Sequence, residues 1–136
     1  MNTFHLTIVT PSGCKYEGEV ESVSVPASEG AVQILAHHVN YVTTLGMGPA
    51  SIGLESGHKK AACIGGMFSM TDNKARVIAT AFEWVEDIDV ERAKAALKRA
   101  EEKLAKADIS PEDKALATAA KQRALVRLSC ANEKRN

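Results

Sequence analysis

The sequence predicts an α+β chain: an N-terminal antiparallel β sandwich or flattened barrel over residues 1–86, then a C-terminal antiparallel two-helix hairpin over residues 87–136. Three observations predict it. Up to Trp84, short alternating segments are separated by Gly, Pro, Asp and Asn, with no crossover helix between them. From Val90, the apolar positions Val90, Ala93, Leu97, Ala100 and Leu104 step by three and four residues, which is one helical stripe. Between them and a second Ala- and Leu-rich run lies Asp108-Ile109-Ser110-Pro111-Glu112-Asp113, a sequence that ends one helix and starts another.

In chain order, Phe4, Leu6 and Ile8 share one face of a first strand, and Pro11-Ser12-Gly13 turns it. Val23 and Val25 alternate with Ser22 and Ser24 until Pro26, which is expected to end that strand, and Gly30 to Leu35 makes another. Thr43 and Thr44 read as extended before a break at Gly46-Met47-Gly48-Pro49. Two hairpins follow, one around Ser56-Gly57 and one around Asp72-Asn73, and Gly65-Gly66 inside a strand pattern predicts a bulge or a close backbone approach.

At 136 residues the chain suits one domain with an appendage. Aromatic residues make up only 4%, so the core must rest on Val, Ile, Leu and Ala. The net charge of zero excludes a nucleic-acid binder by bulk electrostatics, but it hides two unlike parts. Residues 1–87 carry five basic and nine acidic side chains, a net of −4, while residues 88–136 carry twelve and eight, a net of +4.

In the helical part, Asp89 is positioned to cap the first helix. Ser110 is positioned to cap the second, with Pro111 at its first turn and Asp113 three residues on; this helix is expected to run to about Ser129. The seam is mainly alanine, which buries little area, so the helices are individually strong while their docking is shallow.

Little in the chain points to an active site. Cys14, Cys63 and Cys130 are odd in number and far apart, without zinc spacing, and read as reduced thiols. His37 and His38 are adjacent, while His5 and His58 lack ligands at metal spacing, so no metal site is expected. Neither a nucleophile elbow nor a phosphate loop is present, and no catalytic residue is expected. No run of about 18 apolar residues occurs and the N-terminus has no signal-peptide core, so a soluble protein is expected, with any membrane link running through a partner. One constellation remains. Arg92 and Arg99 share a face of the first helix, Arg123 and Arg127 share a face of the second, and folding near residues 108 and 109 puts Arg92 level with about residue 125. Gathered guanidinium groups suit phosphate, and Glu83 and Asp89 are placed to accept hydrogen bonds from a base or sugar. Solvated surface arginines paired with Glu91, Glu101 and Glu112 are the plainer alternative.

Several of these segments, in order and spacing, resemble the epsilon subunit family of bacterial F-type ATP synthase. They are Leu6 to Gly13, Glu19 to Pro26, Glu29-Gly30 with Ile34-Leu35, Gly65-Gly66, and Ile88-Asp89-Val90-Glu91-Arg92-Ala93, which matches an Ile/Leu-Asp-x-x-Arg-Ala motif. The resemblance implies about ten sandwich strands and a noncatalytic place in the central rotor, on the cytoplasmic face of the bacterial plasma membrane as a peripheral subunit. It implies that the sandwich contacts the gamma subunit and the membrane c-ring, with Ala31 to His38, including Ala31 and His38 themselves, facing them. It also implies that the helices extend toward the catalytic alpha and beta subunits and inhibit ATP hydrolysis. No cofactor is required; regulatory ATP, with or without Mg²⁺, is implied for the folded hairpin through Glu83, Ile88, Asp89, Arg92, Ala93, Arg99, Arg123 and Arg127. One departure stands out. Where the family usually reads Leu-Pro-Gly-His-Ala-Pro, this chain has Leu35-Ala36-His37-His38-Val39-Asn40, without either proline or the glycine. The competing reading is a free-standing β-sandwich binding module that dimerises through its hairpin.

Overall fold

The computed structural model describes residues 2–135, with side chains described to residue 132, and divides after Trp84 into two compact units. In the first, seven strands form one sheet: β1 (Phe4–Thr10), β2 (Gly13–Val20), β3 (Ser22–Ala27), β4 (Gly30–Leu35), β5 (Tyr41–Leu54), β6 (Gly57–Thr71) and β7 (Lys74–Trp84). Their order across the sheet is β2-β1-β7-β6-β5-β3-β4. All neighbours are antiparallel except β1 and β7, which run parallel.

The inward-pointing side chains of all seven strands meet in a single core, from Phe4, Leu6 and Ile8 at one side to Val23, Val25 and Ile34 at the other. A sheet whose two ends share one core has folded over on itself, as the alternation of buried and exposed residues along β1 and β7 requires. The largest fully buried side chains are Phe4, Phe68 and Phe82, each contributing about 2 to 3 kcal/mol by removal from water.

The sandwich is built from seven strands rather than about ten because two sequence breaks are not chain breaks. β3 continues through Pro26, and β5 continues through Gly46 to Pro49. The β3–β5 ladder itself lapses between Ser24↔Ser51 and Ala27↔Leu45. Pro49 lies in that lapse, where its missing N–H removes no β3–β5 bond. Strands β5, β6 and β7 are also interrupted together at the level of Gly46, Gly65 and Thr80, yet pairing resumes in the same register. Gly65 and Gly66 take φ of +66° and +125° there. A Cβ on Gly66 would collide with the Ile78 carbonyl oxygen, so the close backbone approach expected at this pair is what the fold contains. The β5–β6 turn is Glu55-Ser56, one residue before the expected position, with Gly57 at φ +129°; the β6–β7 turn is Asp72-Asn73, both left-handed.

In the second unit a short 3₁₀ turn (Val85–Asp87) leads into α1 (Val90–Leu104) and α2 (Pro111–Arg135). The Arg92 N–H donates to Asp89 Oδ1 at 3.0 Å, and the Asp113 N–H donates to Ser110 Oγ at 3.1 Å, so both expected caps are made. The second helix runs to Arg135, past the expected stop near Ser129. Residues 122–135 contain neither Gly nor Pro, so nothing in the chemistry of the backbone halts it there. The buried positions are Ala93 and Ala100 on α1 and Ala117, Ala124, Cys130 and Ala131 on α2, while Val90, Leu97 and Leu104 are half-buried. Alanine therefore forms the line of closest approach, and the larger apolar side chains flank it.

Candidate functional site

The site begins at the α1 cap. Asp89 is exposed and its carboxylate already accepts from the Arg92 backbone, which leaves its second oxygen for another donor. Ile88 and Ala93 on either side are buried. Arg92 and Arg99 are exposed two helical turns apart on α1, whereas Arg123 and Arg127, one turn apart on α2, are half-buried. Counting outward from residues 108 and 109, Ala100 falls level with Ala117, Ala93 with Ala124, and Arg92 with Leu125, between Arg123 and Arg127. The hairpin thus brings Arg92, Arg123 and Arg127 toward the end away from the turn, whereas Arg99 lies nearer the turn. Glu83 is half-buried on β7 and belongs to the first unit.

A cavity of about 520 Å³ lies between the helices in the other half, lined by Ala96, Ala100, Ile109, Leu116, Ala117 and Ala120, with Arg99, Lys103, Lys106, Asp108 and Asp113 at its rim. Of the residues expected at the nucleotide site, only Arg99 lines it. The rim lysines escaped the sequence reading because their helical phase carried no motif.

Among the described residues, no cluster of three His, Cys, Asp or Glu could hold a metal ion. Cys63 is fully buried on β6 and burial pushes its thiol up to about 12, which keeps it protonated and unreactive at neutral pH. Cys14 is exposed and Cys130 buried, and none of the three is in a disulfide.

In the first unit, Ala31 is exposed on the edge strand β4, whose last residue Leu35 is 57% exposed, and the loop after it carries Val39 outward at 76% exposure. His38 is half-buried, its ring edge against Tyr41 with centroids 5.9 Å apart, and its Nδ1 lies 2.7 Å from the Val39 carbonyl oxygen. A carbonyl only accepts, so Nδ1 carries the proton and Nε2 is the ring's acceptor whenever the imidazole is neutral. The departure from the expected loop has a structural resolution. His37, standing where the family has glycine, still adopts the left-handed backbone, at φ +63°. Asn40, standing where it has proline, accepts from the Asp72 N–H at 3.1 Å. Asn40 and Asn73 carried no sequence signal beyond turn composition.

The delta/epsilon chain β-sandwich domain of ATP synthase matches residues 3–85, and the delta/epsilon long α-helix domain matches residues 86–132. The chain belongs to the ATP synthase epsilon chain family. It is 37% identical over 134 residues to the ATP synthase epsilon chain of Shouchella clausii, covering 98% of each. It is 37% identical over 132 residues to that of Caldanaerobacter subterraneus subsp. tengcongensis, covering 96% of this chain and 95% of the relative. The same fold occurs in a chain of the Euglena gracilis mitochondrial ATP synthase OSCP/F1/c-ring structure, with a TM-score of 0.78 at 20% identity, covering 99% of this chain and 82% of that one. As a member of the epsilon chain family, the protein is a noncatalytic stalk subunit of a rotary F-type ATP synthase rather than an enzyme in its own right. Among the described residues, no helix is long and apolar enough to cross a membrane.

Proposed function

We propose that the first unit couples the gamma subunit to the c-ring, and that the second is a two-state arm that inhibits ATP hydrolysis when it extends toward the alpha and beta subunits. The protein then works as a peripheral subunit at the cytoplasmic face of the bacterial plasma membrane. The observation that carries the arm reading is the alanine seam. Ala93, Ala100, Ala117 and Ala124 are buried while Leu116 and Leu125 remain 69% and 45% exposed, so these two leucines keep much of their surface available to another protein. Each seam alanine buries only one methyl, worth about 0.8 kcal/mol, so opening the hairpin costs far less than opening a leucine seam. The net +4 of residues 88–136 suits acidic surfaces on the catalytic ring.

Two surfaces support the rotor contacts. Met67 and Ile78, paired across β6 and β7, point outward with Val42 of β5, an apolar stripe fit for gamma. The β4 edge and its loop, from Ala31 to His38 and on to Val39, present apolar side chains to the c-ring.

ATP binds the folded hairpin in this account. Arg92, Arg99, Arg123 and Arg127 hold the phosphates, Asp89 accepts from the base or sugar, and Ile88 and Ala93 supply an apolar contact, with or without Mg²⁺. At ten times its Kd a ligand stabilises the folded state by about 1.4 kcal/mol, a bias large enough to shift a shallow seam. Titration calorimetry of the full chain with ATP and Mg²⁺ tests the nucleotide role. Saturable heat that Arg99→Ala abolishes is the expected result, and no heat at millimolar ATP overturns ATP sensing while leaving the rotor contacts standing. Co-purification tests the partners: the chain is expected with gamma, whereas a symmetric helix-mediated dimer would favour a free-standing binding module.

A further inference from the structure

Two turns of the first unit meet, and each contains residues that resist the conformation they hold. His37, in the loop after β4, sits at φ +63°, and Asp72 and Asn73, between β6 and β7, sit at φ +50° and +61°. None of the three is glycine, so surrounding contacts must hold them there. Side-chain amides supply those contacts. The His37 N–H donates to Asn73 Oδ1 at 2.7 Å, the Asp72 N–H donates to Asn40 Oδ1 at 3.1 Å, and Asn73 Nδ2 donates to the Thr3 carbonyl at 3.1 Å. The Asn73 amide has one workable orientation, since flipping it would set its NH₂ against the His37 N–H and its oxygen against the Thr3 carbonyl. Asn73 thus joins the chain's first residues, the β6–β7 turn and the loop carrying His38 and Val39.

We propose that Asn73, assisted by Asn40, is a positioning residue for partner docking: its amide pre-shapes the His37 to Asn40 loop and so sets the affinity of that loop for the c-ring. The inference rests on the reading that this loop is a ring-facing surface. Between Pro26 and Pro49 the chain has no proline, so the loop carries no covalent restriction of its own backbone. A loop free to sample other shapes loses that freedom on docking and binds more weakly, whereas a loop already held does not. The short 2.7 Å bond to the His37 amide is the point at which the hold is applied.

The test uses the full chain added back to ATP synthase depleted of this subunit, with three variants and two readouts. Hydrogen exchange of the His37 amide in the free chain reads the clamp, and the Kd for the depleted complex reads docking. Asn73→Gly keeps a residue suited to positive φ but removes both bonds. It is expected to speed His37 exchange and weaken binding by about fivefold each, the scale of one lost hydrogen bond, while the amides of Phe68 and Val77 stay protected. Asn73→Asp retains the acceptor for His37 and is expected to restore protection and most of the affinity. Val39→Asp probes the surface alone and is expected to weaken binding with His37 exchange unchanged. Unchanged exchange in Asn73→Gly overturns the clamp, and faster exchange with unchanged Kd, where Val39→Asp does weaken binding, overturns its role in docking. Loss of protection throughout β6 and β7 would make Asn73 a structural residue only and also overturn the proposal. If Val39→Asp binds normally, the ring-facing reading itself is wrong and the docking role of Asn73 falls with it.

Discussion

Gly66 and Gly57 both adopt positive φ, but only one of them is also walled in. A Cβ on Gly66 meets the Ile78 carbonyl and the Ala79 backbone, neither of which can rotate away, while a Cβ on Gly57 has nothing within 4 Å. Gly66→Ala is therefore expected to destabilise the first unit by about 3 kcal/mol or more, and Gly57→Ala by about 1 to 2 kcal/mol of backbone strain alone, read from urea unfolding midpoints. The thiols separate in the same manner: Cys14 is expected to react with iodoacetamide in the native chain, and Cys63 and Cys130 only after denaturation, as counted by mass. Asp89 has two roles that one substitution confounds. Asp89→Ala is expected to cost about 1 kcal/mol of helix stability through the lost cap, whereas Asp89→Asn keeps the cap and isolates any contribution of the charge to ATP binding. The caps at Asp89 and Ser110 were legible in the sequence because each is a contact across three residues. The bond from Asn73 to Thr3 was not, because nothing local marks a partner at the far end of the chain.

At the scale of the element, the hairpin's shallowness is a matter of which residue occupies the line of closest approach. The three-four spacing of α1 located that line correctly, but not its depth: Ala93 and Ala100 are buried, while Val90, Leu97 and Leu104 stand half-exposed at its flanks. Ala124→Leu is expected to force the helices apart and cost about 1 to 3 kcal/mol, lowering the thermal midpoint followed by circular dichroism. Leu125→Ala, at the adjacent exposed position, is expected to change it by less than about 0.5 kcal/mol. Strand boundaries were less legible than helix caps, for a related reason. Pro26 and the Gly46 to Pro49 run carry strong local stop signals, yet both strands continue, because the neighbouring ladder lapses where those residues sit. Whether a proline ends a strand is decided by the strand beside it.

The whole molecule joins an acidic β unit to a basic helical one, and that asymmetry is the part of its function written most plainly in composition. Family membership accounts for both units together, as neither a catalytic constellation nor a metal cluster among the described residues does. The arm and the rotor surface then answer to different perturbations. Salt is expected to weaken inhibition by the +4 arm more than rotor docking, since exposed charges are screened within about 8 Å at physiological ionic strength while the apolar stripe of Val42, Met67 and Ile78 is not. The most direct measurement is the ATP hydrolysis rate of the assembled complex carrying either the full chain or residues 1–87 alone, at low and at high ATP. The account predicts that both complexes assemble, that the truncated one hydrolyses faster at low ATP, and that the difference shrinks as ATP rises. Equal rates at every ATP concentration would contradict it.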